Sequence, residues 1–281
     1  YKALCFDFTV SAHTRAELDS IFSNFISSAW TPLIGHTIFL GVTAMIVVLG
    51  VKKGIENFGK VMMPLLFLLV ILIAVRSATL PGAGEGFAYL FKPDFSKITP
   101  AVCAAALGQG FFSLSVGFGI MLTYASYMNR KDSIGKSSVL IAVSDTMFAL
   151  IASCAIMPAV FSFGLSPEAG PSLLFEVLPF IFSQMPLGGV VAIIFFIALL
   201  VAALTSSISI LEVGVAWLVE EKHFSRRKAS LVIFIGTWLL GVICSLSFGP
   251  LSGVRIFGDI IFDFLDMFTS NILMTGGALL I

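Results

Sequence analysis

The stretch GQGFFSLSVGFG, at residues 108–119, places four glycines, two serines and Gln109 inside an otherwise apolar run. A helix that crosses a lipid core can open only where its freed backbone groups meet protein, water or a ligand. The stretch therefore predicts a membrane helix that is broken near its midpoint. The two half-helix ends would offer amide groups to a carboxylate and carbonyl groups to a cation. The alternative is close helix packing through small residues, which needs glycine and serine but not Gln109.

The composition on either side of this stretch is that of a membrane protein. Of 281 residues, 58% are hydrophobic and 11% are charged, which a soluble core of this size does not need. A helix needs roughly 20 apolar residues to cross a bilayer, and about seven runs qualify. The predicted spans are 33–51, 61–80, 101–128, 137–163, 187–219, 229–248 and 256–281. The sequence thus predicts an all-α polytopic membrane protein.

The loops between these runs alternate in basic content, which predicts their orientation. Three loops are rich in Lys and Arg, and 164–186 has none. The positive-inside rule places the three basic loops in the cytoplasm, and the segments 5–30, 81–100 and 164–186 then face outward. Lys plus Arg equals Asp plus Glu at 16 each, so no net charge favours a nucleic-acid partner. The basic loops contain Lys52, Lys53 and Lys60; Arg130, Lys131 and Lys136; and Lys222, Arg226, Arg227 and Lys228.

A second polar cluster lies in the fifth predicted span, where residues 204–210 read LTSSISI. Four hydroxyl groups fall within five consecutive residues, 205–209. Such hard oxygens suit a small hard cation if carbonyl groups from another helix complete its coordination. The alternative is that the hydroxyls bond to carbonyls of their own helix.

Acidic residues inside the apolar runs also need an explanation. Asp145 lies deep in the fourth span, where a carboxylate is expected to face a cation, a proton path or an Arg. Glu212 lies lower in the fifth span, and we expect its side chain to reach toward the cytoplasmic surface. In the last span Asp259, Asp263 and Asp266 recur at i, i+4 and i+7, which predicts one shared helix face.

Several other classes of protein are disfavoured. The cysteines form no CxxC pair and the three histidines are scattered, so neither a disulfide framework nor a metal cofactor is predicted. No Ser-Lys, HExxH or paired catalytic-carboxylate motif indicates an enzyme. The chain opens at Tyr1 with neither a Met nor a signal-peptide pattern, and we expect it to be an internal piece of a longer protein.

At these motifs the sequence resembles the neurotransmitter:sodium symporter family, specifically its prokaryotic amino-acid transporters with the LeuT fold. Residues 108–127 are similar to the broken sixth helix of that family, and residues 204–210 to its eighth. KKGIENFGK at 52–60, in which Gly54 precedes Pro64, is similar to the start of its fifth helix. The similarity covers essentially the whole chain.

The resemblance implies a fragment of a LeuT-type inverted-repeat transporter, with about seven transmembrane helices that correspond to helices 4 to 10 of the family fold. Residues 101–281 would form the second repeat, with helices 6 to 10. The preceding parts would be 1–32, the end of helix 3 and an extracellular loop; 33–80, helices 4 and 5 at the end of the first repeat; and 81–100, an extracellular loop.

The function implied by the resemblance is sodium-coupled import of a neutral, small or medium apolar amino acid by alternating access. Na⁺ would be the coupling ion, with no other cofactor. The partners would be the amino acid, Na⁺ and the lipid bilayer, with no nucleic acid, and the location a plasma membrane, specifically a bacterial inner membrane. The alternatives are a LeuT-fold carrier of another small organic solute and a truncated membrane protein without transport activity.

The resemblance assigns ligands for two sodium ions. Ser113 and Asp145 would bind the first, although a shift of one residue in the register would replace Asp145 by Ser144. A carboxylate at Asp145 would balance the cation charge, which implies transport independent of chloride. The second ion would be held by the Ala202 carbonyl and the Thr205 and Ser206 hydroxyls.

The resemblance also assigns a substrate pocket and two gates. Gln109 and Asp266 would belong to the outer gate, and Tyr127 and Glu220 to the inner one. The pocket would be formed by Phe112 as an aromatic lid together with Ser113, Ser115, Phe118, Ser206 and Ile210.

Overall fold

The computed structural model describes residues 15–129, 131–164, 175, 178–184, 187–274 and 276–277. Helices dominate the described residues. In chain order they are α1 (Arg15–Ser27), α2 (Thr31–Val48), a π-helix (Val51–Glu56), α3 (Asn57–Ala78), α4 (Ala83–Phe91), a 3₁₀ turn (Phe95–Lys97), α5 (Pro100–Ser113), α6 (Ile120–Ser126), α7 (Ile134–Ser162), α8 (Leu178–Gln184), α9 (Gly188–Glu220), α10 (Arg226–Leu246), α11 (Ile261–Met267) and a second π-helix (Phe268–Leu273).

Five of the described helices are long and apolar enough to cross a membrane. The predicted third span is divided between α5 and α6, neither of which is long enough alone. The predicted last span is described as α11 and the π-helix that follows it. The helices that can span are α2, the segment Gly54–Ala78, α7, α9 and α10.

The start of the last predicted span was wrong, because a β-hairpin precedes its helix. Arg255–Ile256 (β1) pairs antiparallel with Asp259–Ile260 (β2), with Arg255 opposite Ile260. The turn residues Phe257 and Gly258 both have positive φ, 53° and 100°, as a tight hairpin turn requires. Asp259 therefore lies on a strand, and only Asp263 and Asp266 of the three predicted aspartates lie on α11.

A π-helix, Val51–Glu56, precedes α3 and contains Gly54. Gly50 ends α2 with a φ of 89°, and its carbonyl accepts from both Gly54 at 2.8 Å and Ile55 at 3.2 Å. A Cβ at Gly54 would overlap the carbonyl oxygen of Ile46, so this turn packs too closely to α2 for any other residue. Pro64 lies within α3 one turn or more beyond the π-helix.

The loop 81–100 is partly helical. A Cβ on Gly86 of α4 would lie 2.5 Å from the Cα of Pro158, and the ring of Tyr89 contacts that of Phe161 at 5.0 Å. This loop is thus packed against the end of α7. Most of the other predicted outer loop, 164–186, lies outside the described residues.

The chain divides into two compact units. The first comprises 1–24, 61–95 and 144–202, and its described core is apolar and centred on residues such as Leu66, Val160 and Ile181. The second comprises 25–60, 96–143 and 203–281. Its core joins α2 to α9 and α10 and contains Leu40, Val47, Ile208, Leu211, Val215, Leu218 and Ala229.

Candidate ion and substrate site

The break predicted from residues 108–119 is confirmed. Helix α5 ends at Ser113 and α6 begins at Ile120, with turns between them. The Val116 amide donates to the Phe111 carbonyl at 2.9 Å, and the Ser115 amide to the Phe112 carbonyl at 3.0 Å. This is the Schellman pattern that closes a helix, whose left-handed position is usually glycine.

Ser115 occupies that left-handed position with a φ of 56°. For a residue with a Cβ this conformation costs about 1–2 kcal/mol, so the packing around the break must hold it. Gly117 and Gly119 follow with φ of 93° and 76°. A Cβ on Gly277 would lie 2.5 Å from the carbonyl oxygen of Gly117. Gly277 therefore packs directly against the break, a contact that the sequence reasoning missed.

The residues predicted to line the substrate pocket belong to the second unit. The rings of Phe112 and Phe118 contact each other across the break at 6.1 Å in a T-shaped arrangement. Ser113 is exposed at the end of α5, and on α9 Ser206 and Ile210 are exposed too. The structure thus brings the two aromatic residues together. The pocket itself stays a prediction.

An apolar cavity of about 480 Å³ lies beside the break. Residues of the break, of α6 and of the first turns of α7 line it, among them Ser115, Tyr124 and Ser138. Ser115 is the only residue of the predicted substrate pocket in this lining.

The hydroxyl cluster of α9 is largely used for packing. The Ser207 hydroxyl lies 2.8 Å from that of Thr43 on α2, and the Ser209 hydroxyl lies 2.7 Å from that of Tyr124 on α6. Ser207 and Ser209 also bond to carbonyls of their own helix, at 3.2 and 3.1 Å. The alternative of bonding to carbonyls of their own helix therefore holds for Ser207 and Ser209. The cation site predicted at Thr205 and Ser206 stays a prediction.

The predicted sodium ligands take the following places. Ala202, Thr205 and Ser206 lie at i, i+3 and i+4 on the continuous helix α9, and residues at that spacing share a helix face. Asp145 is half-buried and lies in the twelfth position of the 29-residue helix α7, which agrees with its predicted depth. Ser113 belongs to the second unit and Asp145 to the first. Their joint role in one sodium site stays a prediction.

A buried charged cluster, formed by Glu212, Arg226, Tyr127 and the Val47 carbonyl, overturns the prediction for Glu212. The Glu212 side chain is 0% exposed and is paired with Arg226. Two guanidinium nitrogens donate to its two oxygens, at 3.1 and 2.5 Å, and the Tyr127 hydroxyl donates to Oε1 at 2.6 Å. Arg226 Nε donates to the Val47 carbonyl at 2.9 Å. We call this arrangement the inner cluster; it links the ends of α2 and α6 to α9 and α10.

The sequence reasoning missed Arg226 because it counted this residue only as one of the cytoplasmic charges. The available signal was Glu212 itself, since a buried carboxylate needs a partner. Tyr127 contacts Glu212 rather than its predicted companion Glu220, which is exposed at the end of α9. Gln109 on α5 and Asp266 on α11 are both exposed. The gate roles of these residues stay predictions.

The class of protein follows from this geometry. Several helices can cross a membrane, a further helix is broken near its centre, and α9 carries a cluster of polar groups. These are the features of a multi-pass membrane protein with an interrupted helix.

Comparison with known proteins specifies the family: the chain belongs to the sodium:neurotransmitter symporter family, whose family model matches residues 23–280. The resemblance stated from the sequence is thereby confirmed. The family consists of transporters, not enzymes.

Two similar relatives are bacterial proteins. The chain is 42% identical over 273 residues to the uncharacterized sodium-dependent transporter YhdH of Bacillus subtilis, covering 97% of this chain and 60% of the relative. It is 44% identical over 237 residues to an uncharacterized sodium-dependent transporter of Haemophilus influenzae, covering 84% and 52%. The chain thus spans little more than half the length of these relatives.

A solved structure confirms the fold. The crystal structure of MhsT in complex with L-phenylalanine matches with a TM-score of 0.87 and 42% identity, covering 99% of this chain and 63% of that chain. The chain therefore has the LeuT-type fold expected from the resemblance.

Proposed function

We propose that the full-length protein is a sodium-coupled symporter that imports a neutral apolar amino acid by alternating access. The observation that carries this proposal is the break at 114–119 in a chain of this family. The ends of a broken helix suit the charged ends of an amino acid, and the hydroxyls of α9 suit a small cation. The proposed location is a bacterial inner membrane, which the two bacterial relatives support.

The proposed ligands are those named above. Ser113 and Asp145 would bind one Na⁺, and the Ala202 carbonyl with the Thr205 and Ser206 hydroxyls the other. Because two cations and a zwitterion would leave excess positive charge in a dry site, an anion is needed nearby. The depth of Asp145 in α7 supports its assignment as that anion.

The proposed substrate is a small or medium apolar amino acid, since Phe112, Phe118 and Ile210 are the bulky groups assigned to the pocket. MhsT was crystallised with L-phenylalanine, so aromatic amino acids belong in the test panel. We further propose that the inner cluster closes the cytoplasmic side, with Tyr127 acting through Glu212.

The test is uptake by proteoliposomes that contain the full-length protein. We expect radiolabelled apolar amino acids to accumulate with an inward Na⁺ gradient and not with K⁺ in its place. Thr205→Val, which is nearly isosteric, should raise the Na⁺ concentration needed for half-maximal uptake. Accumulation that is equal with Na⁺ and K⁺ would refute sodium coupling, and an unchanged Na⁺ dependence in Thr205→Val would refute the assignment of that ligand.

A further inference from the structure

Two tyrosines of α6 contact α9 at matching intervals. Tyr124 and Tyr127 are three residues apart, as are their partners Ser209 and Glu212. The two hydroxyl contacts measure 2.7 and 2.6 Å. Residues at this spacing lie on one helix face, and the tyrosine rings also contact each other at 6.5 Å. We call these two contacts the tyrosine ladder.

The contact between Tyr124 and Ser209 extends to the backbone of α9. The Ser209 hydroxyl donates its one proton to the Thr205 carbonyl at 3.1 Å. While Ser209 donates to that carbonyl, its contact with Tyr124 is donated by the tyrosine hydroxyl, since a serine has one proton to donate. A continuous chain of hydrogen bonds therefore runs from α6 through Ser209 to the backbone of Thr205.

This chain ends at the turn that carries the proposed second sodium site. A serine that bonds back to the carbonyl four residues earlier bends its helix slightly, so the rotamer of Ser209 affects the local geometry of the turn 205–209. The Tyr124 hydroxyl fixes that rotamer. The second contact of the tyrosine ladder, from Tyr127 to Glu212, connects the same face of α6 to the inner cluster.

We propose that Tyr124 is a positioning residue which, through Ser209, sets the geometry of the sodium-binding turn at Thr205 and couples it to the inner cluster. This inference rests on the proposed function, because it needs Na⁺ at Thr205 and Ser206. Tyr124 does not touch the ion. Since α6 is a short helix, movement of α6 away from α9 would break both contacts of the ladder together. Na⁺ binding at the turn therefore favours the intact ladder, and by linkage the intact ladder favours Na⁺.

A hydroxyl pair on the same helix provides a matched control. Thr43 of α2 is fully buried, and its hydroxyl lies 2.8 Å from that of Ser207. Ser207 bonds back to the Leu204 carbonyl rather than to Thr205. Thr43→Val therefore removes a helix–helix hydrogen bond of the same chemistry without breaking the chain to Thr205.

The experiment measures Na⁺ affinity without needing the substrate. Purified full-length protein is titrated with NaCl at constant ionic strength against KCl, and the thermal unfolding midpoint is followed, because an ion that binds the folded state stabilises it. The variants are Tyr124→Phe, Ser209→Ala, the double variant, Thr43→Val and Thr205→Val.

Tyr124→Phe and Ser209→Ala should each raise the Na⁺ concentration for half-maximal stabilisation by about two- to tenfold, the effect of one hydrogen bond. The double variant should resemble either single one, since both break the same chain. Thr43→Val should lower the midpoint in KCl and leave the Na⁺ concentration for half-maximal stabilisation unchanged.

Three outcomes would overturn the inference. If Thr205→Val shifts the Na⁺ dependence and Tyr124→Phe does not, the sodium site stands and the positioning role fails. If Thr43→Val shifts it as much as Tyr124→Phe, the effect is general helix packing and the specific role fails. If neither Thr205→Val nor Tyr124→Phe shifts it, the proposed sodium site fails and the positioning role fails with it.

Discussion

The pair formed by Glu212 and Arg226 is buried enough for its loss to be predicted in energy. The exposed fraction is 0% for the Glu212 side chain and 26% for that of Arg226. Arg226→Met removes both bonds to the carboxylate and the bond to the Val47 carbonyl. Breaking a buried pair by removing one partner costs about 3–5 kcal/mol, since the remaining charge is uncompensated. The Tyr127 hydroxyl still donates to Glu212, so we expect the lower end of that range.

The decisive comparison is a second substitution, Glu212→Gln, made alone and together with Arg226→Met. Alone it should destabilise, because it weakens two charge-assisted bonds. In the Arg226→Met background it should stabilise by roughly 1 kcal/mol or more, because it removes the unpaired charge while Gln still accepts from Tyr127. The sign of its effect should therefore reverse between the two backgrounds.

The assay is the apparent unfolding midpoint of the purified full-length protein, followed by tryptophan fluorescence at one fixed heating rate. Arg227→Met is the control. The Arg227 side chain is exposed next to Arg226, so this substitution should change the free energy of unfolding by no more than about 0.5 kcal/mol. Losses from Arg226→Met and Glu212→Gln that simply add in the double variant would refute the reasoning, as would a loss from Arg227→Met as large as that from Arg226→Met.

Three further predictions concern the proposed site. Asp145→Asn should weaken Na⁺-dependent substrate binding, with partial recovery in chloride over gluconate, because the compensating charge is lost; parental Na⁺ affinity in both buffers would exclude Asp145 from the ion site. Phe118→Ala should shift competition for uptake toward aromatic amino acids, since one methylene in a pocket changes discrimination by about 1–3 kcal/mol; an unchanged ranking of competitors would count against the pocket. Gly277→Ala should lower the unfolding midpoint, because its Cβ would lie 2.5 Å from the Gly117 carbonyl and overpacking costs about 1–3 kcal/mol; a midpoint equal to that of Gly276→Ala, at a position with open space, would contradict the close contact.

Local chemistry accounts for what could be predicted from the sequence. The apolar runs predicted membrane-spanning helices because a lipid core demands about 20 such residues per crossing. The break at 114–119 followed from glycines and serines in the middle of such a run. These features depend on the conformational preferences and polarity of neighbouring residues, which a single sequence contains.

Contacts between distant segments were decided only by the tertiary structure. From sequence position we expected the Glu212 side chain to reach the membrane surface and Arg226 to be one of the charges of a loop. In the folded chain Glu212 is buried and paired with Arg226. The resemblance named Tyr127 and Glu220 for the inner gate, and the packing of α6 on α9 brings Tyr127 to Glu212. The helix predicted for Asp259 gave way to a hairpin because the turn at Phe257 and Gly258 pairs the two short strands. A sequence shows which residues need a hydrogen-bonding or charged partner in a dry environment. Which residue becomes that partner depends on how helices far apart in the chain pack. That packing minimises unpaired polar groups over the whole fold.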